Sequence, residues 1–195
     1  MPLYCSPGRL AIAAALAAML ASGCASIEAW NDNRVTVVEQ SFGKPEAVAV
    51  AKLSTAPGSM IGGSVSFSQY GAILLVRASL TGLRPNGEYG LHVHERGDCL
   101  GATPGGIGGH FNPTGAAHGR PGGREPVHAG DLSNLRADGE GNALYLFQAR
   151  ALSVTGGPNS VIGRSVVVSR NPDDYQTQPD GNSGPPLACG FIRGG

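Results

Sequence analysis

From residue 47 the chain changes from mixed composition to short runs in which apolar and polar residues alternate. Ala47 to Leu53 predicts a first strand. Ile61 to Gln69 sets Val65 and Phe67 against Ser64, Ser66 and Ser68, the period of two expected of a half-buried strand. Gly71 turns the chain, and Ala72 to Leu80 predicts a third strand. Leu83-Arg84-Pro85-Asn86-Gly87-Glu88 carries turn chemistry, and Glu88 to His94 predicts a fourth strand. The stretch Arg96 to Gly130 is rich in Gly and Pro and almost without periodicity. So long a loop inside a compact domain is expected to be functional or held by a ligand. Strands resume over Asp131 to Ala137 and Gly141 to Ala149, with Asp138-Gly139-Glu140-Gly141 between them as a hairpin signal. A loop with Gly156-Gly157-Pro158-Asn159 leads to a strand over Ile162 to Ser169. A second irregular loop, Arg170 to Pro186, precedes the last strand, Leu187 to Ile192. About eight strands and no convincing helix predict an all-β fold, an antiparallel Greek-key sandwich or barrel with two long functional loops.

The N-terminal segment follows a different pattern. Arg9 precedes an apolar run, Leu10 to Leu20, too short to span a bilayer as a stable anchor. It ends in Ala21-Ser22-Gly23-Cys24, which resembles a bacterial lipobox whose cysteine becomes the diacylated mature N-terminus. An ordinary signal peptidase site nearby is the alternative, and either way export is expected. The division is therefore a signal peptide over 1–23, a lipidated N-terminus and linker over 24–46, and a folded domain over 47–195. Within the linker, Val35-Thr36-Val37-Val38 reads equally as a short strand or as linker. The expected location is the periplasm or cell envelope, with a lipid on Cys24 as the membrane contact.

Composition narrows the function. The 14 basic and 14 acidic residues cancel, so no basic surplus argues for a nucleic-acid partner. Of four cysteines, Cys5 belongs to the signal and Cys24 to the lipobox. Cys99 and Cys189 are left as an even pair in an oxidising compartment, where a disulfide is the default.

All five histidines fall between Leu91 and Asp131. His110, His118, His128 and Asp131 are spaced 8, 10 and 3 residues apart along one loop. Three imidazoles and a carboxylate satisfy tetrahedral zinc, and four protein ligands with no open position make such a site structural. His92 and His94, two apart on a strand, face the same side and suit copper, which takes imidazole readily.

The motifs Leu-His-Val-His-Glu-Arg-Gly-Asp-Cys (91–99), Gly-His-Phe-Asn-Pro (109–113), His-Ala-Gly-Asp-Leu (128–132), Ile-Gly-Arg-Ser-Val-Val-Val (162–168) and Leu-Ala-Cys-Gly (187–190) resemble the Cu/Zn superoxide dismutase family over about residues 47–192. The short spacing from His94 to Cys99 is similar to its bacterial periplasmic branch. The resemblance implies His92, His94 and His110 as copper ligands, His110 also bridging to zinc with His118, His128 and Asp131. It implies a Cys99–Cys189 disulfide, and Asp173 as the carboxylate that fixes one copper-side and one zinc-side histidine. Two positions depart from the family pattern. Ser169 stands where the fourth copper histidine is expected, and Pro186 where the anion-guiding arginine is expected. Arg170 is a candidate for the missing charge, while Arg164 is expected to support a loop. The implied activity is dismutation of superoxide to oxygen and hydrogen peroxide at copper beside a structural zinc. The alternative is a non-catalytic, zinc-stabilised member that binds copper weakly, for buffering or delivery, or not at all.

Overall fold

The architecture follows from where the alternating runs can bury their apolar face. In the computed structural model, which describes residues 42–55, 59–103 and 105–195, ten strands form two antiparallel sheets. They are β1 (Ala47–Lys52), β2 (Ser54–Thr55), β3 (Gly62–Tyr70), β4 (Ile73–Thr81), β5 (Glu88–His94), β6 (Asp131–Arg136), β7 (Ala143–Ala149), β8 (Ser165–Ser169), β9 (Pro186–Phe191) and β10 (Arg193–Gly194). One sheet runs β10-β1-β3-β4-β7 and the other β2-β9-β8-β5-β6. Eight strands of five or more residues match the expected count, and the two-residue β2 and β10 are additional. The ladders close within each sheet, so the fold is a sandwich and not a closed barrel.

Inward positions carry the core. Val65 and Phe67 of β3 and Leu74, Val76, Ala78 and Leu80 of β4 are within 1% of complete burial. Each large side chain buried this way contributes roughly 1.5–3 kcal/mol. Strand β5, next to the edge strand β6, behaves differently, being buried on both faces from Tyr89 to His94. Tyr89, Leu91 and Val93 enter the core, while Gly90, His92 and His94 face outward beneath the long loops. Beside it, β8 places Val166 and Val168 in the core. Val167, opposite His92, and Ser165, opposite His94, share the outer face with the histidines, and so does Ser169 two residues on.

The expected hairpin at Asp138–Gly141 proves to be a crossover. Asp138 N–H donates to Asn142 O (2.8 Å), which starts a tight turn, but β6 then pairs with β5 and β7 with β4. Leu83 separates them. Its N–H donates to Gly141 O (3.0 Å), and a Cβ on Gly141 would lie 2.3 Å from Leu83 O. Gly141 is thus held against the β4 side and β7 continues in that sheet. Cys99 and Cys189 form the expected disulfide, with Cα atoms 5.5 Å apart, tying the first long loop to β9. Closing a loop of 90 residues contributes about 4.6 kcal/mol in the chain-entropy account. Cys24 and the run Val35–Val38 lie outside the described residues.

Candidate metal centre

The five histidines converge on the outer face of the β5 sheet. β5 supplies His92 and His94, the loop between β5 and β6 supplies His110, His118 and His128, and β6 begins with Asp131. One ligand atom each from His110, His118, His128 and Asp131 falls within 4.8 Å of the others, and all four residues are buried. Asp131 Oδ1 lies 2.9 Å from His110 Nδ1, 3.1 Å from His118 Nδ1 and 3.6 Å from His128 Nδ1. Its Oδ2 accepts from Gly119 N–H at 3.2 Å. Burial works against ionisation of this carboxylate, yet the bonds from His110 and His118 hold it down at about 2.

Asp173, from the loop between β8 and β9, joins the two sides. Its Oδ2 lies 2.8 Å from His92 Nε2 and its Oδ1 2.9 Å from His118 Nε2. Gly181 makes room for that bridge, because a Cβ there would lie 2.0 Å from Asp173 Oδ1. Burial again opposes ionisation, and the histidine hydrogen bonds overcome it, pushing Asp173 well below the usual carboxylate range. For His118, burial disfavours the imidazolium, but bonds to Asp131 and Asp173 outweigh it and raise the group to about 10.

His92 and His94 are held in the opposite electrostatic sense. His94 Nδ1–H donates to Gly108 O at 3.0 Å, and burial lowers the ring to about 4. His92 is lowered as well, chiefly by burial. Both are neutral at pH 7, with His92 Nδ1 and His94 Nε2 buried and without a hydrogen-bond partner. His92 stacks on His110 at 3.9 Å between centroids, and His94 meets the same ring edge-on at 5.1 Å. His110 Nδ1 faces Asp131, so His110 stands between the two groups.

Above His94 and His110 opens a hollow of about 500 Å³, bordered by Ser169, Ser183 and Pro186 and by Glu95 and Asp180. Both departing positions therefore border the same space. Arg170 does not reach it. It borders a different hollow with Arg84 and Tyr89. Arg164 supports loops as expected, donating to Ser160 O (2.7 Å) and Glu95 O (2.8 Å) and lying 3.4 Å over the Phe111 ring.

Several supporting residues carry no signal in the sequence. Asn134 donates to Asp173 O (2.9 Å) and accepts from Asp173 N–H (2.8 Å), fastening that loop to β6. Tyr175 OH receives Asn134 N–H at 3.0 Å and lies 2.8 Å from Ser133 Oγ. Gln178 pairs with both backbone groups of His118 at 2.9 Å. Each joins segments about 40 or 60 residues apart, a separation that no local pattern reveals.

A family model described as copper/zinc superoxide dismutase matches residues 61–192. The chain is 35% identical over 161 residues to superoxide dismutase [Cu-Zn] 2 of Aquifex aeolicus (strain VF5), across 80% of this chain and 92% of that protein. Among solved structures, the crystal structure of the clock protein EA4 superposes with a TM-score of 0.66 at 37% identity. That likeness covers 77% of this chain and 96% of EA4.

Proposed function

The chain belongs to the copper/zinc superoxide dismutase family, and on that premise we propose that it dismutates superoxide at a three-histidine copper position beside a structural zinc. The reaction joins two superoxide anions and two protons to give oxygen and hydrogen peroxide. The observation that carries the reading is the pair of buried, unpartnered imidazole nitrogens, His92 Nδ1 and His94 Nε2, beside His110. An orphaned buried acceptor costs roughly 1–3 kcal/mol, which a coordinated cation relieves. Imidazole donors suit copper, and the His110, His118, His128 and Asp131 set suits tetrahedral zinc. Copper, when bound, supplies the one-electron exchange.

The protein's own part is to prepare those donors. Asp173 accepts from His92 Nε2–H and so leaves Nδ1 as the lone pair. Gly108 O does the same at His94 Nδ1 and leaves Nε2. His110 turns Nδ1 to Asp131, leaving Nε2 for the copper side. Purified mature protein loaded with both metals should hold one copper and one zinc per chain and exceed free copper in superoxide turnover. Turnover no greater than that of the same amount of free copper would falsify the proposal.

A specific observation favours a second reading. Superoxide is an anion, and the described residues bordering the hollow include Glu95 and Asp180 but no lysine or arginine. Ser169 in place of an imidazole and Pro186 in place of a guanidinium act in the same direction. On this reading the protein holds copper for buffering or delivery on a zinc-stabilised scaffold. Stoichiometric copper with turnover no better than the free ion distinguishes it. We further propose export and lipidation at Cys24, checked by mass spectrometry of the mature N-terminus for a diacylglyceryl group.

A further inference from the structure

We propose that the hollow above His94 and His110 is a cation entrance, in which Glu95 and Asp180 draw in a positively charged copper ion and disfavour small anions at the metal held there. The inference rests on the second reading above and specifies what passes through the site. Glu95 follows the last residue of β5 and Asp180 lies in the loop between β8 and β9, so the two exposed carboxylates come from different segments that both border the opening. Beneath them, His94 is 9% exposed, borders the same space and carries a buried Nε2 without a hydrogen-bond partner. That nitrogen, and not the carboxylates alone, marks a ligand position. The remaining polar lining includes the buried Ser169 and Ser183, both uncharged.

The Arg164 guanidinium acts on Glu95 electrostatically but is held outside the hollow, so it offsets the two negative charges at the opening only in part. Arg164 is engaged by Ser160 O and Glu95 O and covers Phe111. Arg96 donates to Gly106 O (2.9 Å) and Gly105 O (2.7 Å) on the outside of the loop. Neither borders the hollow. Charge of one sign around a cleft raises the local concentration of the opposite sign and lowers that of its own, with effects of roughly 10- to 1,000-fold on association rates. Two exposed carboxylates belong at the low end of that range, and salt must weaken them, because the screening length is about 8 Å at physiological ionic strength.

The test compares the zinc-loaded protein with the double variant Glu95→Gln/Asp180→Asn, in which both replacements keep an acceptor oxygen. Copper(II) in a weakly coordinating buffer is mixed rapidly with each protein at low and high salt. Azide is then titrated into the copper-loaded forms and followed by absorption. The variant should take up copper about tenfold more slowly at low salt, lose that difference at high salt, and bind azide several-fold more tightly. Equal uptake rates at low salt, or unchanged azide affinity, overturns the inference while stoichiometric copper leaves the underlying reading standing. Absence of bound copper in both proteins overturns the two together.

Discussion

His118 and His94 are both buried imidazoles of one cluster, yet the chain holds them in opposite ways. His118 has a carboxylate on each ring nitrogen, Asp131 on Nδ1 and Asp173 on Nε2, and is raised to about 10. His94 has a backbone carbonyl on one nitrogen and nothing on the other, and is lowered to about 4. The difference separates two kinds of metal position. Around Asp131, His110 and His118 are satisfied while His128 Nδ1 is not, and the network there is part of what holds the loop between β5 and β6. At His92 and His94 one buried ring nitrogen each has no hydrogen-bond partner, and His94 borders an open hollow, so little of the fold rests on what they bind.

That contrast breaks most visibly at Asp131. Asp131→Ala removes the acceptor facing three histidines and should cost roughly 3–5 kcal/mol, as when one partner of a buried ion pair is deleted. Zinc should be lost with it. His94→Ala removes one hydrogen bond to Gly108 O and should cost about 1–2 kcal/mol while zinc stays. Thermal unfolding with metal analysis of both variants decides, and equal losses would erase the distinction. Chelating zinc from the unmutated protein should likewise accelerate amide exchange over residues 100–130 far more than in β3 and β4.

The next largest effect should come from rebuilding the open side. Ser169 lies on the outer face two residues beyond Val167, the partner of His92, and Pro186 borders the same hollow. Ser169→His with Pro186→Arg restores a fourth imidazole and a cation together. Copper affinity and superoxide rate should rise in parallel, the rate by roughly 10-fold or more. No gain in either would mean that Glu95 and Asp180, or the β8 backbone irregularity between Val168 and Ser169, limits the site independently.

Asp173 tests whether the two sides are coupled. It contacts His92 with one oxygen and His118 with the other, so Asp173→Asn should weaken copper and zinc alike, by roughly 10- to 100-fold each. A drop confined to copper would show that the zinc side tolerates losing that partner. Competition titrations with a chromophoric chelator measure both.

Much of this was legible in the sequence, for definite reasons. Strand alternation is local, so Val65 and Phe67 could be assigned inward from their own neighbours, and His92 and His94 to one face of one strand. The His110, His118, His128 and Asp131 cluster was legible because three histidines and Asp131 crowd an aperiodic loop. Asp173 came only through family likeness, since nothing around it distinguishes it from Asp174. The crossover after Asp138 was misread because its turn chemistry is that of a hairpin, and only Leu83, more than fifty residues earlier, turns β7 into the other sheet. Glu95 and Asp180 were invisible as a pair, because chain reversal through β6, β7 and β8 alone brings them to one opening.

The smallest and most selective effect is on pH. With His118 raised to about 10 in the fold against roughly 6.5 when unfolded, its imidazolium stabilises the metal-free protein fully below pH 6.5. That contribution fades as pH climbs toward 10. Zinc competes with the same proton, so each zinc bound at pH 7.5 should release one proton, and apparent zinc affinity should rise about tenfold per pH unit up to that limit. Asp131, held at about 2, takes no part above pH 5, and His94, lowered to about 4, releases nothing near neutrality. Calorimetric zinc titrations in two buffers of different ionisation enthalpy count the proton directly. Asp173→Asn, which removes one of the two carboxylates that raise His118, should flatten the dependence. Zinc affinity unchanged between pH 7 and 9, with no proton released, would place His118 on the same neutral footing as His94 and remove the electrostatic difference between the two sides.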